Sequence, residues 1–357
     1  MAHTVHPGQQ LTGNPLLQFQ REARLSFESV AGELPAHIRH QPGFPRLWAF
    51  AKAMFFRLTP ARRIVLLFAL ALMVNFVLNG SEASDTSYRL LLSAVCLLVL
   101  LALELADRVA LKRDLELARD IQGWLVPRCA PEQALLDVAF HTRPANTVAG
   151  DYYDVLPLPG GRAAPAVLFV VADVAGKGIP AGLLMACFRT CLHTLADTAR
   201  DLADLVDRLN RSCCRDSNQG RRFTSAFLAQ YDGSVLRYVN AGHNPPMLRR
   251  AMGAITQFGA SGVPFGMFPN AAYDVSEVPI EPGDLLLLYT DGVVEAENDA
   301  GEQYGVDRLY ALLQTASGTS AQVQERLLTE IESFTGQAPQ HDDITCLIAR
   351  FPAPVRE

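Results

Sequence analysis

The chain has 357 residues, of which 49% are hydrophobic and 19% are charged, and its formal net charge is −6. This length allows one large domain with an attached segment, or two ordinary domains. The acidic balance argues against a nucleic-acid partner, and seven cysteines without a CxxC pair are typical of a reducing cytosol.

Two apolar blocks follow a polar N-terminal segment, residues 1–60, which we assign to the cytoplasm. The first block covers residues 64–78 and the second covers residues 90–103. The short connection between them is acidic, whereas the outer flanks are basic, with Arg57, Arg62 and Arg63 before the pair and Arg108, Lys112 and Arg113 after it. By the positive-inside rule, this pattern predicts a transmembrane helical hairpin over 61–106 in the inner (cytoplasmic) membrane, with both termini cytoplasmic. A buried helical pair in a soluble domain is the alternative.

A linker helix is predicted over residues 107–127, ending at Pro127. A narrow seam recurs on it in steps of four and three, formed by Leu111, Leu115, Ala118, Gln122 and Leu125. Such a seam is typical of a homodimer contact, but it is too short to exclude a helix that packs on its own domain.

Residues 128–357 mix strand and helix signals. Most of the strands follow one another through short turns, which favours antiparallel sheets flanked by helices, an α+β class. The predicted strands are 136–142, 153–158, 166–174, 224–232, 235–241, 285–290 and 344–351, and the predicted helices are 180–197, 201–214, 305–316 and 319–334.

Four aspartates share one local setting, at a strand end or start beside glycine or a second acid. They are Asp151 in AGDYYD, Asp173 in VADVAGKG, Asp291 in LLYTDGVVEA and Asp342 in QHDDIT. If these strand ends converge, the carboxylates repel one another, which raises their pKa values unless cations neutralise them. Sites built only from oxygen ligands suit Mg²⁺ or Mn²⁺, so the pattern predicts a centre with two divalent ions.

The glycine loop after Asp173 invites comparison with a phosphate-binding loop. A Walker loop requires a further glycine upstream and a hydroxyl residue after the lysine, whereas Lys177 is followed here by Gly178 and Ile179. We therefore interpret Asp173 as a metal ligand and expect the glycines to bring the Val174 carbonyl towards a metal. Lys177 is either a contact for a substrate phosphate or a solvated surface side chain.

The motifs together resemble one family of enzymes. AGDYYDVLPL, VVADVAGKGIPAGLLMA, FTSAFLAQYD, LRYVNAGHNPPML, PGDLLLLYTDGVVEAEN and HDDIT occur in the order seen in bacterial PPM phosphatases, which are protein phosphatase 2C-like serine/threonine phosphatases. The most similar branch is that of the RsbU and stage II sporulation E proteins. The resemblance covers about residues 116–351, with Ala149 in place of a common glycine as a mild departure.

This resemblance implies an αββα sandwich of two antiparallel sheets over residues 128–357, with two Mn²⁺ or Mg²⁺ ions in a cleft at one end. It implies that Asp173 bridges the metals beside the Val174 carbonyl, that Asp291 and Asp342 hold them, and that Asp151 supports the centre directly or through water. These four aspartates then act through a water that the two ions activate for in-line attack on phosphorus.

The implied substrate is a phosphoserine or phosphothreonine on a regulatory protein, an anti-sigma-factor antagonist in this branch. Neither His243 nor His341 is expected to be catalytic, because a hydrogen bond that stabilises a turn explains each. Cys213 and Cys214 are expected to be buried and unreactive. The alternatives are a membrane-tethered two-metal nucleotidyl cyclase, whose Gly-Gly-Asp/Glu-Glu-Phe hairpin is missing here, and a non-catalytic partner-binding switch.

Overall fold

The computed structural model describes residues 44–79, 86–127, 136–158, 166–217 and 220–351. Most of the N-terminal segment predicted over 1–60, the middle of the acidic connection and the start of the catalytic domain lie outside these ranges. The chain divides into two compact units, residues 1–110 and 111–357.

The first unit is helical. It contains α1 (Phe44–Arg57), α2 (Pro60–Asn79) and the first part of α3 (Thr86–Leu125). The helices α2 and α3 run antiparallel, and three contacts fix their register. Arg62 lies 3.3 Å from Glu104, Ser93 Oγ donates to the Ala69 carbonyl at 2.9 Å, and Arg89 donates to Asn75 at 2.8 Å. The two apolar blocks therefore form a paired helical hairpin.

Three helices among the described residues are long and apolar enough to cross a membrane. Two of them are α2 and α3, whose apolar side chains are largely exposed, such as Val77 and Leu98. The third is α4 (Ile179–Ala196) in the second unit, where Met185, Phe188 and Leu192 are buried in a core. Core packing explains the apolar character of α4, so the hairpin provides the two candidate spans.

The end of α3 belongs to the second unit. Leu115, Ala118, Gln122 and Leu125 of the predicted seam are partly buried in the single chain, whereas Leu111 is exposed. Gln122 contacts Ala149, and Val126 packs against the core that follows. These contacts favour the alternative in which the linker packs on its own domain.

The second unit contains two antiparallel five-stranded sheets. The first sheet has the order β1-β10-β9-β6-β7 and the second has the order β2-β3-β4-β5-β8. The strands are β1 (Asp137–Arg143), β2 (Asp151–Leu158), β3 (Ala166–Val174), β4 (Thr224–Tyr231), β5 (Val235–Ala241), β6 (Met247–Arg249), β7 (Ile255–Gln257), β8 (Ser276–Pro279), β9 (Leu285–Tyr289) and β10 (Ile344–Arg350).

Helices cover the outer faces of both sheets. The helices α4 and α5 (Leu202–Asp216) pack on the second sheet, and α7 (Gly305–Gln314) and α8 (Ser320–Thr335) pack on the first. The short α6 (Asp291–Val294) follows β9 directly. This is the predicted αββα sandwich of an α+β domain.

Side chains alternate between the two faces of each strand, and this alternation explains why the sheets have a core on each face. In β3, Phe169 and Val171 face the core between the sheets, whereas Leu168 and Val170 face the core under α4 and α5. All four are fully buried, as expected for a central strand covered on both faces. Asp173 is on the same side of β3 as Phe169 and Val171, so the alternation directs its side chain towards the other sheet at the strand end.

Candidate metal centre

Two of the predicted aspartates lie opposite each other. Asp151 begins β2 and pairs in register with Asp173 near the end of β3. Asp151 is only 4% exposed, and its Oδ2 accepts a 2.8 Å hydrogen bond from Thr290 Oγ1. Thr290 follows β9 of the other sheet, so this hydrogen bond joins the two sheets at the end where the acids lie.

Asp291 is the first residue of α6, immediately after Thr290. The next residue must be small, because a Cβ built on Gly292 would lie 2.1 Å from the Asp343 carbonyl oxygen. Glycine at this position lets α6 approach the loop before β10 closely. The loop that carries Asp342 and Asp343 is thereby packed against the segment that carries Asp291.

Asp342 is paired with a lysine from the glycine loop. Lys177 Nζ donates to Asp342 Oδ2 at 2.9 Å and to the His341 carbonyl at 2.8 Å. The lysine side chain is more than half exposed. Lys177 therefore lies at the edge of the acidic cluster and supplies a positive charge to it.

Asp343 is a site residue that the sequence patterns did not single out. Its Oδ1 accepts from the Ala145 N–H at 2.7 Å and its Oδ2 accepts from the Gly150 N–H at 2.8 Å. The carboxylate is buried and fixes both ends of the loop that leads to Asp151. The two adjacent aspartates in QHDDIT indicate that an acid lies here. Only the fold shows that Asp343, and not Asp342, holds the loop.

Burial and mutual repulsion raise the pKa values of three of these carboxylates. Burial, together with the charges of Asp291, Asp342 and Asp343, raises the pKa of Asp173 to about 7. Burial and the charge of Asp342 raise the pKa of Asp291. Burial and the charge of Asp173 raise the pKa of Asp151 well above its usual range. Divalent ions would relieve this repulsion, as expected for a cation-binding cluster.

The donor set fits a hard divalent cation. A Cβ built on Gly150 would lie 3.1 Å from the Val174 carbonyl oxygen and 3.4 Å from Asp173 Oδ1, so both oxygens face the loop before β2. Carboxylate and carbonyl oxygens suit Mg²⁺ or Mn²⁺. Among the described residues, no three His, Cys, Asp or Glu side chains already surround one cation position.

The histidines have structural contacts. His243 is buried, and its Nδ1 lies 2.9 Å from Ser225 Oγ, on the residue that pairs with Asp173. Burial lowers the pKa of His243 to about 4, so the ring is neutral at pH 7. His341 is exposed, with Nε2 4.0 Å from Glu297. His243 thus has a hydrogen-bond partner for its ring, whereas the His341 ring has, within the described part of the chain, only the distant contact with Glu297.

The adjacent cysteines Cys213 and Cys214 are partly buried, less than the sequence led us to expect. Burial raises the pKa of Cys213 to about 12 and raises that of Cys214. Both shifts disfavour the reactive thiolate.

The chain is similar to several known proteins. It is 26% identical over 276 residues to protein IcfG of Synechocystis, a match that covers 70% of this chain and 43% of IcfG. It is 26% identical over 243 residues to phosphoserine phosphatase RsbU of Bacillus subtilis, a match that covers 67% of this chain and 70% of RsbU. The chain thus spans less than half the length of IcfG.

A solved structure supports the fold. The SiaA-PP2C domain of Pseudomonas aeruginosa matches with a TM-score of 0.61 and 22% identity, over 69% of this chain and 99% of that domain. The family model described as stage II sporulation protein E (SpoIIE) matches residues 164–352, which is more than half of the chain. The protein therefore belongs to the SpoIIE family, and its second unit has the PP2C-like fold.

Proposed function

We propose that this protein is a membrane-anchored, metal-dependent phosphatase that hydrolyses phosphoserine or phosphothreonine on a regulatory protein. The observation that carries the proposal is the cluster formed by Asp151, Asp173, Asp291 and Asp342 between the two sheets of a PP2C-type domain. Its raised pKa values indicate a site that favours divalent cations.

In this proposal Asp173, Asp291, Asp342 and the Val174 carbonyl hold two Mn²⁺ or Mg²⁺ ions, and Asp151 supports them. The ions supply Lewis acidity and lower the pKa of a water that attacks phosphorus. The residues of the chain position this chemistry. Asp151 is oriented by Thr290, and Lys177, which donates to Asp342 at the edge of the cluster, would supply a positive charge for a substrate phosphate.

The relatives support the substrate class. RsbU and RsbP of Bacillus subtilis are both described as phosphoserine phosphatases. We extend this substrate to the present chain and propose that the regulatory protein is an anti-sigma-factor antagonist. These relatives give no support to a nucleotidyl cyclase, and all four predicted acidic ligands are present, which argues against a non-catalytic switch.

The membrane location is part of the proposal. The hairpin formed by α2 and α3 would place the anchor in the inner membrane, with the phosphatase domain on the cytoplasmic side. Its support is the largely exposed apolar surface of the two helices and the basic residues that flank them.

A homodimer through the linker is also proposed. Because part of the predicted seam is occupied by the chain's own domain, the contact would use the exposed apolar side chains Leu117, Ile121 and Trp124. Sedimentation of the full chain and an Ile121→Lys variant in detergent tests this. A dimer that the variant weakens is expected, and a monomeric parent protein contradicts it.

The enzymatic proposal is tested by assaying the purified full chain in detergent against a phosphoserine protein, with Mn²⁺, with Mg²⁺ and with a chelator. We expect phosphate release that depends on the metal, and no cyclic nucleotide from nucleoside triphosphates. Hydrolysis that persists in excess chelator, or cyclic nucleotide formation, would contradict the proposal.

A further inference from the structure

Gln122, near the end of α3, makes two hydrogen bonds to a single residue of the catalytic domain. Its Nε2 donates to the Ala149 carbonyl at 2.7 Å, and its Oε1 accepts from the Ala149 N–H at 2.9 Å. The side-chain carboxamide thus satisfies both backbone groups of Ala149, as a neighbouring strand would. We propose that Gln122 is a positioning residue, which holds the loop before β2 in the shape that the metal centre requires.

Ala149 is one residue from the centre. Gly150, which follows it, donates to Asp343 and lies against the Val174 carbonyl oxygen and Asp173 Oδ1. Asp151 comes next and is the acid that Thr290 orients. A displacement of Ala149 therefore moves the backbone of Gly150 and Asp151 relative to the ligands on β3.

The loop from Ala145 to Gly150 has anchors of two kinds. Asp343 holds both ends from within the sandwich, whereas Gln122 holds Ala149 from the linker helix. Val148 and Ala149 are only 5% and 4% exposed, so water replaces a lost partner of their backbone groups poorly. Gln122 is thus a direct link between α3 and the acidic cluster.

A surface cavity lies beside this link. Leu115, on the same face of α3 as Gln122, lines a cavity of about 310 Å³ with residues 146–148 of the loop. Lys177 and Gly178 of the glycine loop line the same cavity. The helix and the two site loops are separated at this cavity, and the Gln122 contact joins α3 to the loop before β2 next to it.

The test compares two variants of the full chain in detergent, Gln122→Met and Arg119→Met. Both introduce methionine into the same helix, one turn apart, but the Arg119 side chain is exposed whereas Gln122 is partly buried. Calorimetric titration with Mn²⁺ should show about tenfold weaker binding for Gln122→Met, the usual size of an effect on residues that orient metal ligands, and parent-like binding for Arg119→Met.

This inference rests on the proposed phosphatase function, and kinetics add a readout that general destabilisation would not produce. The Mn²⁺ concentration for half-maximal hydrolysis should rise about tenfold in Gln122→Met. Saturating Mn²⁺ should restore kcat, with an unchanged KM for the phosphoprotein. Parent-like Mn²⁺ binding in a folded Gln122→Met protein would overturn the inference. An equal loss of Mn²⁺ affinity in Gln122→Met and Arg119→Met would also overturn it.

A second measurement uses the parent protein and does not depend on the folding of a variant. Because coupling between two sites is reciprocal, saturating Mn²⁺ should slow hydrogen exchange at the Ala149 amide. Exchange that Mn²⁺ leaves unchanged would contradict the role of Gln122. If the parent protein binds Mn²⁺ but does not hydrolyse phosphoserine, the proposed phosphatase function is wrong. The Mn²⁺ affinities of the parent and of Gln122→Met, and the exchange rate of the Ala149 amide, still decide the role of Gln122 in that case.

Discussion

Gly150 donates its backbone N–H to Oδ2 of Asp343 at 2.8 Å, and this hydrogen bond ties the segment before β2 to the segment before β10. Asp343 also accepts from the Ala145 N–H at 2.7 Å, so one buried carboxylate closes the loop between them. The loop delivers Asp151, whereas Asp343 itself follows Asp342. The two ends of the acidic cluster are thus joined through a residue that is not itself a predicted ligand.

We expect Asp343→Asn to lower the free energy of unfolding by about 1–3 kcal/mol. An asparagine side chain has one oxygen, so one of the two buried backbone N–H groups loses its acceptor. Chemical denaturation of the metal-free protein measures the change. Asp274→Asn, at an exposed loop position, is the control and should match the parent protein. Equal stability of both variants and the parent would refute the role given to Asp343.

Gly292→Ala should be destabilising by about 1–3 kcal/mol, because the new Cβ would meet a backbone oxygen that cannot rotate away. Gly259→Ala is the matched control, since a Cβ there has open space around it. Thermal unfolding of the two variants, with and without Mn²⁺, measures the loss of stability in each variant. A Gly292→Ala protein as stable as Gly259→Ala would show that the close approach of α6 to Asp343 is wrong.

Metal binding should strengthen as the pH rises from 6 to 8. In the metal-free protein the pKa of Asp173 is about 7, so below that pH its carboxyl carries a proton that a cation must displace. Asp151 and Asp291 have raised pKa values as well, which acts in the same direction. Calorimetric Mn²⁺ titrations at several pH values should show affinity falling by up to about tenfold per pH unit below 7 for each proton displaced. An affinity independent of pH would contradict the coupling of the acids.

The hairpin predicts the location of two reporter fusions. A fusion at Ser84, in the connection outside the described residues, should report the extracytoplasmic side, and a fusion after Glu357 should report the cytoplasm. A cytoplasmic report from both positions would refute the two-span topology. In that case α2 and α3 would be a helical pair on one side of the membrane.

The sequence predicted the long elements of the fold well. The bounds of β3 and β5 agree with the observed strands to the residue, because each is a run rich in apolar, aromatic and β-branched residues, and turn residues follow it. The short strands β6, β7 and β8 were missed, since three or four residues are too few for a periodic pattern. β6 and β8 pair with the longer strands β9 and β5, whereas β7 pairs with β6 at the edge of the sheet.

The candidate site was predicted in part. The four aspartates were recognised by their position at strand ends, and the fold brings Asp151 and Asp173 into register. The roles of Asp343 and Gln122 depend on contacts across 193 and 27 residues of the chain, which local patterns do not reveal. The linker seam was ambiguous for a similar reason, because a helix packed on its own domain and a helix packed on a second copy have the same periodicity.

The central claim is that acids from distant parts of the chain bind divalent ions together, and calorimetric titration of the full chain with Mn²⁺ tests it most directly. We expect two bound ions per chain in the parent protein. In Asp173→Asn, with an unchanged circular dichroism spectrum, the affinity should be at least about tenfold weaker, because a neutral amide replaces the carboxylate proposed to bridge them. An absence of Mn²⁺ uptake by the parent protein, or equal uptake by Asp173→Asn, would contradict this account.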